Sequence, residues 1–287
     1  MIERREGHFT GHDKTELFYQ SWTDPNAAKK RGTLVITHGI SEHSECYAKT
    51  AERLTQFGWS IFAWDLRGHG RSEGKRGYVR DFDDFARDLD TFLKFLNEKK
   101  RLDGGFALIG HSLGGLITLR HVLTADSHSP KPTAIALSSP ALGLALRVPP
   151  VKEIAARALS RILPSLTLYN EIRFEDLSRD PEQVKSYKLD PLRHEKISPA
   201  LYLGMLDTMD FVKAQSARLK LPILIQAAGV ERIVSLDAIN EFYSTVGSEN
   251  KKLIVYEESY HEIYNDLDRE KVFQDLNEFL STVMEAR

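Results

Sequence analysis

The chain has 287 residues, 41% of them hydrophobic and 28% charged, an ordinary balance for a globular fold. That length holds one large α/β domain, or one core domain carrying an insertion. A formal net charge of −2 gives no reason to expect nucleic acid or an anionic membrane as partner, and a lone cysteine, Cys46, excludes an intrachain disulfide framework.

Residues Met1 to Glu6 carry charges where a signal peptide would carry an apolar run, and charges interrupt every later apolar stretch before it reaches spanning length. The expectation is a cytoplasmic protein with no integral membrane span. Phe9 and the run 17–22 flank a Gly11-His12-Asp13-Lys14 turn and predict a β-hairpin. Runs of branched apolar residues follow at 33–37, 60–63, 106–109, 133–137, 222–226 and 253–256. They are continuous rather than alternating, as in strands buried on both faces of a parallel sheet. Amphipathic stretches lie between them, such as 81–99 with Phe82, Phe85, Leu89, Phe92, Leu93 and Leu96 on one stripe. This alternation predicts the α/β class, a mostly parallel sheet flanked by helices.

The alternation breaks from 140 to 215, where no run reads convincingly as a strand. Within it, Val151, Ile154, Ala155, Ala158, Leu159 and Ile162 fall at helical spacing, opposite Lys152, Glu153, Arg157 and Arg161. We read 140–215 as a helical cap inserted over the loop end of the sheet, dividing a core of 1–139 and 216–287. The apolar face of the cap helix suits an acyl chain, packing against the core, or transient contact with a membrane surface.

Gly110-His111-Ser112-Leu113-Gly114 matches G-x-S-x-G, a pattern that chance supplies in about one chain of this length in ten. Context makes it specific. The strand at 106–109 precedes it and an apolar helical stretch from Gly115 to Ala125 follows, so Ser112 falls on a sharp strand-to-helix turn that projects its hydroxyl above the sheet. A serine hydroxyl is a poor nucleophile and needs a base with an orienting acid. In such a fold these follow the serine in the order acid, then histidine. His261 stands beyond the last predicted strand and before a helical stretch at 269–284; the other nine histidines precede Ser112, lie beside it, or fall on the post-elbow helix, its exit loop or the cap. For the acid, Glu231 is the carboxylate in the loop after 222–226, and Asp237 is the alternative, in what reads as the first turn of a helix. The backbone N–H groups of Ile40, after the 33–37 strand, and of Leu113 are the candidate oxyanion donors. No histidine, cysteine and carboxylate cluster has metal-site spacing, no loop cradles phosphate, and Cys46 has no elbow to present it as a nucleophile.

Four segments together resemble the monoacylglycerol lipase and lysophospholipase group of α/β hydrolases. They are His38-Gly39-Ile40-Ser41-Glu42-His43-Ser44 with Tyr47, Asp65-Leu66-Arg67-Gly68-His69-Gly70-Arg71-Ser72, Gly110 to Gly115, and Tyr260-His261-Glu262-Ile263. They span nearly the whole chain in the group's order. The resemblance implies an α/β-hydrolase fold with a helical cap over an acyl pocket, and hydrolysis of small amphipathic glycerol or lysophospholipid esters without a cofactor. Two departures stand out. Glu231 occupies the place of the group's usual aspartate, and Glu45-Cys46 stand where the group commonly shows Gly-Arg before the tyrosine. We read Asp65 to Ser72 as structural, its charges bracing loops near the site.

Two other readings compete: the same serine chemistry on small soluble esters or peptides, and a non-catalytic ligand-binding module. The latter would not need Ser112 and His261 together. Dehalogenase and epoxide-hydrolase chemistry would need a carboxylate at the elbow.

Overall fold

A computed structural model describes residues 1–145 and 150–285; the side chains of 150–153 and 155 lie outside that description. The chain opens with a hairpin, β1 (Glu3–Thr10) and β2 (Glu16–Thr23), paired antiparallel from Glu3↔Thr23 to Thr10↔Glu16. The predicted runs then appear as β3 (Gly32–Thr37), β4 (Trp59–Trp64), β5 (Phe106–His111) and β6 (Ala134–Ser138). Helices α1 (Ala48–Gln56), α2 (Asp83–Glu98) and α3 (Leu113–Thr124) lie between them. After the insertion come β9 (Ile223–Ala228), α7 (Leu236–Thr245), β10 (Lys251–Tyr256) and α8 (Arg269–Glu285).

Among the described residues the main sheet has eight strands in the order β1-β2-β4-β3-β5-β6-β9-β10. Only the pairings at the β1 edge are antiparallel; β4 through β10 run parallel. The continuous apolar runs fill both faces. Val35, Phe62, Leu108, Ile135 and Ile225 meet Phe85, Leu89 and Phe92 of α2 and Leu116 of α3 on one side. Leu34, Ile36, Ile61, Ile109 and Leu224 meet Leu54 of α1 and Phe273, Leu276 and Leu280 of α8 on the other. The outermost strand β1 exposes Glu3, Arg4, Arg5 and Glu6, charges that discourage pairing with another chain.

Between β6 and β9 the chain runs through α4 (Pro150–Ile162), α5 (Pro181–Leu189) and α6 (Pro199–Gln215). The two later helices start where sequence chemistry dictates. Asp180 and Ser198 accept N-terminal N–H bonds as caps, and Pro181 and Pro199 fill the first helical position. Helix α6 packs on α3 and α4, joining this segment to the core. One expectation is corrected here: the stretch does hold strands, two-residue β7 (Leu168–Tyr169) and β8 (Lys196–Ile197), paired antiparallel. Two residues per strand is too short to leave a periodic signal. The apolar stripe read on α4 is exposed at Ile154, Ala158 and Ile162. Ile154 and Ile162 are 68% and 75% exposed, while Leu159 is half-buried; the side chains of Val151 and Ala155 lie outside the described residues. No described helix is long and apolar enough to cross a membrane.

Candidate active site

Ser112 is the hinge residue between β5 and α3, with φ 50° and ψ −116°. That backbone region is strained for any residue bearing a Cβ. The flanking glycines are steric necessities: a Cβ on Gly114 would lie 2.1 Å from the Thr37 carbonyl oxygen, and one on Gly110 would lie 2.6 Å from that of Gly114. The Ser112 N–H donates to Ser138 O at 2.9 Å, and its carbonyl accepts from Ala141 and Gly115, each at 3.0 Å. The turn is thereby locked to strand β6 on one side and to α3 on the other.

The loop beyond β10 brings His261 to the same place, and Ser112, His261, Ile40 and Ser41 line one narrow recess. Behind the imidazole, Glu231 Oε2 lies 2.8 Å from His261 Nδ1. The other carboxylate oxygen, Oε1, accepts backbone N–H groups of Arg232, Ile233 and Val234 at 3.0, 2.9 and 3.3 Å. Burial by itself would raise this carboxyl. The His261 charge, its hydrogen bond and the backbone donors outweigh burial and hold Glu231 below the usual glutamate range. Asp237 is elsewhere: it is exposed in the first turn of α7, whose cap is Ser235 accepting from Ala238 N–H. The structure therefore brings Glu231, and not Asp237, to the imidazole. Leu113 is the first residue of α3, so its N–H belongs to the helix terminus beside Ser112. The turn bearing Ile40 is fixed by Gly39 N–H donating to Glu42 Oε2 at 2.7 Å.

A model of the family described as serine aminopeptidase, S33, matches residues 28–268. The chain belongs to this family. It is a serine ester hydrolase with an α/β-hydrolase fold. A monoacylglycerol lipase of Mycolicibacterium smegmatis is 30% identical over 96% of this chain and 97% of its own length. Phospholipase YtpA of Bacillus subtilis is 31% identical over 84% of this chain and 92% of its own. Among solved structures, the Paleococcus ferrophilus monoacylglycerol lipase superposes with a TM-score of 0.81 at 29% identity, covering 98% of this chain and 99% of that one.

Several residues of this family member's site were given no role by the sequence. Asn170, after β7, donates to Ser41 Oγ at 2.9 Å and lines the recess with His194 and Glu195. Glu42, Arg193 and Glu262 form a buried charged cluster on its wall. Glu262 could have been suspected from its place after His261; Arg193 sits in a loop whose spacing gives nothing away. His111 is also in the wall, its imidazole pushed down to about 3 by burial and by the neighbouring His261 charge. Asp65 and Arg67, read as loop braces, act so. Asp65 accepts the N–H groups of Ser44 and Arg71, and Arg67 binds Asp88 and Asp13.

Two groups of potential metal ligands stand close together among the described residues, and both have their donors engaged. His12, Asp13 and Asp88 surround the Arg67 guanidinium. In the group of His43, Cys46 and Asp190, His43 Nε2 and Asp190 Oδ2 are hydrogen-bonded at 2.8 Å. Burial pushes the Cys46 thiol up to about 12, so it offers no thiolate at neutral pH.

Proposed function

We propose that this serine ester hydrolase cleaves monoacylglycerol-type esters through an acyl-enzyme on Ser112. The observation that carries the reading is the 2.8 Å contact of Glu231 with His261 Nδ1, behind the recess that holds Ser112 on its strained elbow. A carboxylate on Nδ1 fixes the tautomer whose Nε2 is free to accept a proton. In the reaction, Ser112 Oγ attacks the ester carbon while His261 Nε2 takes its proton. The resulting oxyanion is met by the Ile40 and Leu113 N–H groups. His261 then returns the proton to the departing glycerol oxygen, leaving an acyl-serine. Water, deprotonated by the same imidazole, attacks that ester, and Ser112 leaves with the proton as the fatty acid is released.

In this reading residues 140–215 act as the cap over the site, between core segments 1–139 and 216–287. Ile40, Ile172, Phe174, Leu177 and Ile233 give the recess an apolar lining suited to an acyl chain. Ile154, Ile162, Leu163, Leu168 and Tyr169 are exposed large apolar side chains in this segment, which supports transient docking on the lipid aggregate that holds the substrate. The lone Cys46 supports a reducing, cytoplasmic setting.

The test is a panel of monoacylglycerols, lysophospholipids, short soluble esters and aminoacyl anilides, assayed with wild type and Ser112→Ala. Monoacylglycerols should give the highest kcat/KM, and Ser112→Ala should abolish it. A preference for lysophospholipids or for short soluble esters would reassign the substrate. Faster cleavage of anilides would move the protein to the peptidase class that its family's description names.

A further inference from the structure

The acyl-transfer reading leaves one buried cation on the recess wall without a task. Arg193 lies between α5 and α6, in the segment that crosses above the sheet, and its side chain is only 3% exposed. Its guanidinium faces two carboxyl groups from different loops of the core. Nη2 is 3.1 Å from Glu262 Oε1, on the residue that follows His261, and 3.5 Å from Glu42 Oε1. Glu42 is the residue whose other oxygen holds Gly39 N–H, and so fixes the turn carrying Ile40; it also accepts from Tyr47 Oη at 2.8 Å. The guanidinium stacks on the Tyr187 ring at 3.9 Å, and the Tyr187 hydroxyl donates to Glu262.

A buried guanidinium with no anion, or a buried carboxylate with no cation, would be strongly unfavourable, so Arg193 and Glu262 account for each other, with the Glu42 carboxyl as a further hydrogen-bond partner of the guanidinium. Cys46 lies within the same cluster, in electrostatic reach of Arg193, Glu42 and Glu262. Cys46 offers a thiol and no charge, and the cation facing the two carboxyl groups is Arg193.

We infer that Arg193 is a positioning residue. Reaching from the segment between α5 and α6, its fork holds the Ile40 turn and the His261 loop in register with Ser112. The inference rests on the hydrolytic reading above and adds to it a dependence of the chemical step on a cap residue that touches no reacting atom. Misplacement by an ångström of groups that must meet the transition state costs about a hundredfold in rate, with little effect on ground-state binding.

The experiment compares wild type, Ser112→Ala, Arg193→Ala and Arg193→Ala/Cys46→Arg on p-nitrophenyl butyrate, with fluorophosphonate labelling rates alongside. Arg193→Ala should lower kcat at least about thirtyfold while KM stays within about threefold, and labelling should slow in proportion. Adding Cys46→Arg, whose guanidinium can enter the vacated space, should recover about tenfold or more. If Arg193→Ala does not accumulate as folded protein, Arg193→Ala/Glu262→Gln removes one carboxylate together with the cation, takes its place and should show the same slowing. A kcat within about threefold of wild type, or a loss confined to KM, overturns the inference. So does a Cys46→Arg double variant no faster than Arg193→Ala, because the loss would then be one of packing rather than of charge. An inactive wild type, or a fully active Ser112→Ala, would instead sink the hydrolytic reading and is seen in separate arms.

Discussion

Replacing Glu231 by glutamine tests the orienting acid with almost no change of shape. The structure dictates how the amide must sit. Three backbone N–H groups converge on Oε1 at 2.9 to 3.3 Å, so the amide oxygen is held there and the NH2 is forced into the Oε2 position, 2.8 Å from His261 Nδ1. An NH2 can only donate, so Nδ1 becomes an acceptor and the ring proton moves to Nε2, the atom that must take the serine proton. The imidazolium of the transition state also loses its counter-charge. The same exchange in a serine protease costs about ten-thousandfold, or roughly 5 kcal/mol at 1.36 kcal/mol per tenfold. A loss of at least about a hundredfold in kcat/KM is expected here, with the fold retained because the loop hydrogen bonds survive. Asp237→Asn should change only a helix-dipole contact of about 0.3–1 kcal/mol on an exposed turn, and leave activity near wild type. Steady-state kinetics of both variants on one soluble ester decides the matter. An active Glu231→Gln would refute the tautomer argument, and a crippled Asp237→Asn would move the role to Asp237.

Three further outcomes are expected. Ser112→Ala should lose fluorophosphonate labelling altogether, since only the attacking oxygen is removed; labelling that persists would mean that another residue is the nucleophile. Ile162→Glu, on the exposed cap surface, should weaken hydrolysis of vesicle-borne monoacylglycerol by about thirtyfold, the equivalent of about 2 kcal/mol of apolar burial, and leave a monomeric ester unaffected. Equal losses on both would exclude a docking role. The third outcome concerns pH. Burial, and then the Glu262 carboxylate, push Glu42 up to about 8, while Arg193, Tyr47 and Cys46 face it from the cap and from the turn before α1, with Tyr187 of α5 also in the cluster. The folded state thus keeps a proton that the unfolded chain has already released, so Glu42 favours folding below its ordinary range and loses that contribution as pH rises to about 8. The Tm of Glu42→Gln relative to wild type should climb between pH 5 and about 8 and level off above, and a pH-independent difference would contradict the assignment.

The sheet was legible because its strands are buried on both faces, and residues such as Leu34, Val35 and Ile36 must all be apolar whichever way they point. The elbow was legible because its constraint is local: Gly110, Ser112 and Gly114 answer to backbone atoms a few residues away or on the adjacent strand. The choice between Glu231 and Asp237 was legible only in part: Glu231 falls in the loop after β9 and Asp237 in the first turn of α7, and the aim of the side chain, which separates them fully, is not written in that spacing. The direction of the stripe on α4 was left open for a related reason. Helical periodicity reports that Ile154 and Ile162 share a face, but not whether anything covers it. Arg193 was invisible because its partners are far away in sequence, at Glu42 and Glu262, and nothing in the loop around it fixes its direction.

The left-handed seat of Ser112 also sets a tension between robustness and activity. Backbone strain of about 1–3 kcal/mol is stored at the residue whose side chain the proposed chemistry needs, and glycine would adopt that geometry with no Cβ penalty. Allowing about 0.5–1 kcal/mol for the greater freedom of an unfolded glycine, Ser112→Gly should melt later than the active protein. Selection for thermal endurance alone would therefore drift toward loss of the proposed nucleophile. A programme to harden this enzyme has to select for turnover and melting temperature together, and to look for its gains away from the elbow.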